Sequence, residues 1–152
     1  FAKFNMDPWW PAQVKRVQGA GTTRPRRAKV HFFGENSFDE LPFSKLRPFV
    51  AFFPRRKQPS KIPSAERRKH YQEGIKQGLR ALMKQMRKRK RRKEQGEDVA
   101  GEVLGTRTLC QRLGLSKEKL CFLVGEKFNK LSIREEDETD DENKKNDDIG
   151  IS

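Results

Sequence analysis

Cysteine and histidine are scarce in this sequence, with two of each among 152 residues. Cys110 and Cys121 are too few for a disulfide framework, and neither stands in a CxxC pair or a Cys/His cluster of zinc spacing. A reducing, intracellular setting without a metal is the expectation. His31 and His70 leave almost nothing from which to build a Ser/His/Asp arrangement. His31 alternates with Phe32 along a strand pattern and reads as structural, while His70 falls among charges on a solvated helix face. The phosphate-cradling loops GxxxxGK[ST] and GxGxxG are absent, so the chain is read as non-enzymatic and free of cofactors. No stretch of about 18 apolar residues occurs, which excludes a transmembrane helix. Hydrophobic residues make up only 33%, enough for one small domain beside a good deal of solvated chain. With Phe1 in place of Met and no apolar leader, the sequence reads as a piece of something longer.

Charge, by contrast, is plentiful and unevenly placed. The net charge is +14, yet residues 1–93 carry +20 and residues 94–152 carry −6. Of the 14 aromatic residues only Tyr71, Phe122 and Phe128 lie beyond Phe53. The folded core therefore belongs at the N-terminus, with a basic arm and then an acidic end behind it. Between Glu135 and Asp148 nine acids meet two lysines, and the segment 132–152 reads as a disordered acidic tail.

Up to about Phe53, short apolar runs are broken by Gly, Pro and Asn, the signature of small strands. Strands are expected over Ala12–Val17, Ala28–Phe33 and Phe38–Leu41, the last ended by Pro42, with a loop at Gly19–Pro25 and a turn at Gly34–Ser37. Four or five strands in so short a segment cannot cover both faces of an open sheet. A mostly β domain over residues 1–63, a small closed or half-closed barrel, is the expected solution. Ser64 is a good N-cap, and Tyr71, Ile75, Leu79, Leu82, Met83 and Met86 then recur at the spacing of one helix face. That basic amphipathic helix, residues 64–93 with its cap, carries Gly74 and Gly78 beside the stripe, where close packing on the barrel is expected. It ends in seven consecutive cations, Arg87 to Lys93. A linker over 94–105 precedes a helical hairpin over 106–131, capped at Thr106 and Ser116 and broken at Gly114. Its apolar face is expected to need a protein partner.

The most informative stretch is Pro8-Trp9-Trp10-Pro11. Neighbouring residues of a strand point to opposite faces, so one of the two tryptophans must look outward or into a pocket. The tetrapeptide resembles the signature of PWWP domains. Phe1-Ala2-Lys3 resembles the end of that family's first strand, Val30-His31-Phe32-Phe33-Gly34 its third, and Leu46-Arg47-Pro48-Phe49 the close of its barrel. The resemblance spans roughly residues 1–90. It implies a five-stranded SH3-like or tudor-like barrel followed by C-terminal helices. It also implies a nuclear chromatin reader that holds a methylated histone-tail lysine, the mark of transcribed gene bodies, in an aromatic cage.

By the same resemblance the cage positions fall on Phe4, Trp10 and Phe32. Asp7 stands where the family often has a further aromatic, and Glu35 where some members carry an acid beside the cage. Ring faces suit a methylated ammonium, which keeps its charge while losing donors, and each contact contributes about 0.5 to 2 kcal/mol. Nucleosomal DNA is the second expected partner. Its contacts are assigned to Lys15, Arg16, Arg24, Arg26, Arg27 and Lys29 around the second strand and its loop, and to Arg55, Arg56, Lys57 and Lys61 on the segment leaving the barrel. The helix adds Arg67, Arg68 and Lys69, and then Arg87, Lys88, Arg89, Lys90, Arg91, Arg92 and Lys93. Such a belt suits phosphates and lacks ordered base-reading residues. Two other readings stay open: a sequence-independent DNA or RNA binder with a degenerate cage, and a protein–protein scaffold fragment.

Overall fold

The computed structural model describes residues 1–125 apart from 6, 20, 22, 24, 25, 57, 58 and 100–102. The expected acidic tail, the expected end of the hairpin at Leu131, and the DNA-contact positions Arg24 and Lys57 lie outside the described residues. Three strands form one antiparallel sheet in the order of the chain: β1 (Ala12–Gln18), β2 (Arg27–Phe32) and β3 (Ser37–Pro42). Each lies within a residue or so of its sequence-expected place. Alternation explains this, because Ala28, Val30, Phe32 and Leu41 are buried while Arg27, Lys29, Phe38 and Glu40 are exposed. Between β2 and β3, Ala28 faces Leu41 and Phe32 faces Ser37. Between β1 and β2, the pairing of Val14 with Val30 is followed by that of Arg16 with Lys29. Lys15 is thus the extra residue of a bulge.

The five-stranded, mostly β barrel expected from the sequence is not what forms. The sheet has three strands and stays open, and about 51% of the described chain is helical. The segments expected to complete the barrel contribute only isolated bridges, Ala2 with Trp10 and Ala2 with Leu46. Proline accounts for much of this. Pro8, Pro11 and Pro48 have no N–H to donate to a ladder, and Pro42 hands β3 straight to a 3-10 turn at Phe43–Lys45. Val14 and Val17, on β1 at the open side of the sheet, consequently remain about half exposed.

Helices bury the inner face instead. A short α1 (Phe49–Phe52) follows the sheet, and then α2 (Ala65–Glu94) runs 30 residues. The Ser64 side chain accepts a hydrogen bond from the Arg67 backbone N–H at 3.3 Å, as its N-cap role requires. Along α2 the buried residues Tyr71, Gly74, Ile75, Gly78, Leu79 and Met83 form the expected stripe. Its glycines allow the close approach. A Cβ on Gly74 would stand 2.7 Å from the Phe33 carbonyl oxygen, and one on Gly78 2.8 Å from the Phe49 ring. Gly34 sits at φ +81°, and a Cβ there would stand 2.0 Å from the His70 carbonyl oxygen.

The hairpin helices form as α3 (Thr106–Leu113), whose N-cap is Gly105 and not the expected Thr106, and α4 (Lys117–Val124), which ends at Gly125 and not at the expected Leu131. Gly114 stops α3 in the left-handed region at φ +68°, and the Ser116 side chain caps α4 by accepting from the Lys119 backbone N–H. Its apolar residues Leu109, Leu113, Leu120 and Val124 are buried in the same core as α2. That face is covered by its own chain, α3 against α1 and α4 against α2. Arg80 of α2 fastens the corner by donating to the Val124 carbonyl at 3.1 Å. No helix among the described residues is long and apolar enough to cross a membrane.

Candidate functional site: an acidic aromatic cavity beside α2

A cavity of about 380 Å³ opens where the Pro8–Pro11 arch, the β2–β3 edge and the first turn of α2 meet. All five residues assigned to a cage by resemblance line it: Phe4, Asp7, Trp10, Phe32 and Glu35. The arch brings Phe4 and Asp7 together, where the Asp7 N–H donates to the Phe4 carbonyl at 3.0 Å. Two antiparallel exchanges between Ala2 and Trp10, both at 2.8 Å, hold the arch closed.

Trp10 is the wall shared with the core. It is 3% exposed, its indole N–H donates to the Phe33 carbonyl at 2.7 Å, and its ring meets Tyr71 edge-on at 5.2 Å. Of the two tryptophans, Trp9 is therefore the one that looks outward. It is half-buried on Phe52, with the Arg47 guanidinium 4.7 Å and the Lys3 ammonium 5.9 Å from its ring centroid. Phe4, at 42% exposure, stands at the open side of the cavity. Phe32 is buried on the inner face of β2.

Four lining residues, Pro8, Ser37, Phe38 and Asp39, were not assigned to the site by sequence reasoning. Asp39 of β3 sits in register with Val30, on the inner face with Phe32 and Leu41. An acid at an inward position of an alternating strand was the signal available for it. Phe38 lines the cavity as well, although it is largely exposed and packs against His31 at 4.8 Å. His31 itself bonds the Asn36 side chain at 3.0 Å, in keeping with a structural part.

Arg67 is placed differently from its expected role on DNA. Its guanidinium enters the cavity, donates to Asp7 Oδ1 at 3.0 Å, lies 3.6 Å from Glu35 Oε1 and stands 5.3 Å from the Trp10 ring centroid. The hydrogen bond to Asp7 holds its pKa above the ordinary arginine value, partial burial opposes this, and the Asp7 and Glu35 charges add to it.

The other expected DNA contacts divide into two groups. Lys15, Arg16, Arg26, Arg27 and Lys29 are all exposed on or beside the sheet, with Arg16 directly opposite Lys29. Arg55, Lys61 and Lys69 are exposed, as are Lys88, Lys90, Arg91, Arg92 and Lys93, while Arg87 and Arg89 are half-buried. Arg92 pairs with Glu97. Arg56 and Arg68 serve the fold. Arg56 donates to the Phe53 carbonyl at 2.8 Å and lies 3.8 Å from that ring, and burial lowers its pKa. Arg68 donates to the carbonyls of Ile62 and Pro63.

Among the described residues there is no His/Cys/Asp/Glu group fit to hold a metal ion. In comparison with known proteins, the family model for the PWWP domain matches residues 1–99. No curated protein and no solved structure matches the chain.

Proposed function

Because the chain belongs to the PWWP domain family, whose members are generally non-catalytic, nuclear modules binding histones and DNA, we propose that it reads methylated lysine on nucleosomes. The cavity is the cage, and the ligand is a histone-tail lysine carrying the mark of transcribed gene bodies. One observation carries this reading. On a protein of net charge +14, the rings of Phe4, Trp10 and Phe32 converge with the carboxylates of Asp7, Glu35 and Asp39. Aromatic faces backed by acids attract a cation that hydrogen-bonds poorly. A few such contacts, at about 0.5 to 2 kcal/mol each, make a weak site by themselves.

DNA supplies the remaining affinity. Arg16 opposite Lys29 places two exposed cations side by side across a strand pair, with Glu40 facing Lys29 from the other neighbouring strand. The exposed cations of the last turns of α2 extend the surface. Phosphate contacts of this kind position a protein on DNA without reading sequence.

The test titrates methylated nucleosomes, unmethylated nucleosomes and free DNA against the wild type and Phe4→Ala. Phe4 is partly exposed, so its loss leaves the core standing. The expected result is a selective loss of the methyl preference with free-DNA affinity unchanged. A variant that still prefers methylated nucleosomes removes Phe4 from the cage. A second reading, DNA binding without a methyl-lysine ligand, is favoured by Arg67, whose guanidinium already faces Asp7 and Trp10.

A further inference from the structure

We propose that Arg67 determines which methylation state the cavity accepts, by holding the carboxylates that a partly methylated lysine would need. The inference rests on the cage reading above. Each methyl group removes one N–H from the lysine ammonium, so that the monomethyl form keeps two, the dimethyl form one and the trimethyl form none. An N–H that leaves water for a site without a matching acceptor costs about as much as a lost hydrogen bond. Asp7 and Glu35 are acceptors at the cavity wall, but the guanidinium has engaged them already, at 3.0 Å and 3.6 Å. Asp39 is committed in part as well, because its Oδ1 accepts the Glu40 backbone N–H at 2.7 Å. Arginine brings five donors and no acceptor, so it cannot itself receive an incoming N–H.

A trimethylammonium avoids this competition. It asks only for ring faces, which Phe4, Trp10 and Phe32 offer, and for the residual negative charge of three acids against one arginine. A mono- or dimethylammonium has to share these carboxylates with a guanidinium already paired to them, a competition that a trimethylammonium, with no N–H to place, does not enter. Arg67 thus acts as a resident cation that penalises lower methylation. Its position is set from far along the chain, since it reaches Asp7 across 60 residues through the docking of α2.

The experiment measures tail peptides with unmethylated, mono-, di- and trimethylated lysine against wild type and Arg67→Gln by NMR titration, beside a melting curve for each protein. Wild type is expected to favour the trimethyl peptide. Arg67→Gln removes the competing charge and frees the acids, so mono- and dimethyl affinities rise about tenfold more than the trimethyl affinity, the size of one hydrogen bond to a charged group. Binding that emerges only in Arg67→Gln also supports the inference, with Arg67 as a complete block. If all three methylated states change by the same factor, or all weaken, Arg67 is a simple wall and the inference is overturned. If neither protein separates methylated from unmethylated peptide, the cage reading itself fails and the inference falls with it. Should Arg67→Gln lose its melting transition, Arg67→Met, which keeps an apolar stem but carries neither charge nor donor, makes the same comparison.

Discussion

Trp10 donates its indole N–H to the carbonyl of Phe33 at 2.7 Å, and in doing so ties the Pro8–Pro11 arch to the turn after β2. The same ring lines the cavity on one side and touches Tyr71 on the other. Cage and core are therefore not alternatives at this position. Trp10→Ala is expected to destabilise the domain by about 3 to 5 kcal/mol, the cost of emptying a large aromatic site in a core. Trp10→Phe keeps a ring but orphans the Phe33 carbonyl, at about 1 to 3 kcal/mol. Urea unfolding of both variants checks this order, and a Trp10→Ala protein as stable as wild type contradicts it.

Tyr71 makes an opposite prediction for stability. Its side chain is fully buried, and the hydroxyl has no hydrogen-bond partner among the described residues. Tyr71→Phe, which deletes only that oxygen, is expected to be neutral or stabilising by about 1 kcal/mol.

The pH dependence follows from the same group. Burial pushes the Tyr71 pKa up from 10.0 to about 12, with the nearby Arg56 charge opposing. Below pH 10 both states are protonated and nothing changes. Between pH 10 and 12 the unfolded chain releases the proton while the folded one keeps it, so stability falls as pH rises through this window. Thermal melts from pH 9 upward are expected to fall less steeply for Tyr71→Phe than for wild type.

Gly74→Ala weighs two effects of known sign. Replacing a mid-helix glycine gains roughly 1 kcal/mol of helix propensity. Against this, the new Cβ would stand 2.7 Å from a backbone oxygen of Phe33 and 3.0 Å from Pro11, and backbone gives way less readily than a side chain. Net destabilisation is expected, seen as a lower melting temperature. A higher one would show that α2 slides away from the turn at little cost.

The basic end of α2 is best tested by charge and not by length. Truncation there would also remove α3 and α4, whose Leu109, Leu113, Leu120 and Val124 belong to the core. Replacing Lys88, Lys90, Arg91 and Lys93 with Gln keeps helix propensity nearly unchanged and removes exposed charge. The slope of log K against log salt for duplex DNA should fall by about 0.9 for each of these residues that contacts a phosphate. An unchanged slope would move the DNA surface to the sheet, where Arg16 and Lys29 stand.

The amino-acid sequence determined the elements, because their signals are local. Alternation placed β2 and β3, Ser64 and the Tyr71–Met83 stripe placed α2, and Gly114 with Ser116 placed the break between α3 and α4. The Pro8–Pro11 tetrapeptide likewise pointed to the family that the comparison shows. Tertiary structure decided everything that depends on which face meets which. Periodicity states that a strand has an apolar side but not whether strands or helices will cover it, and here α1 and α2 did so in place of a closed barrel. It equally states that Arg67 is a charge on a helix, while the approach permitted by Gly34 and Gly74 decides that this charge meets Asp7 and Glu35.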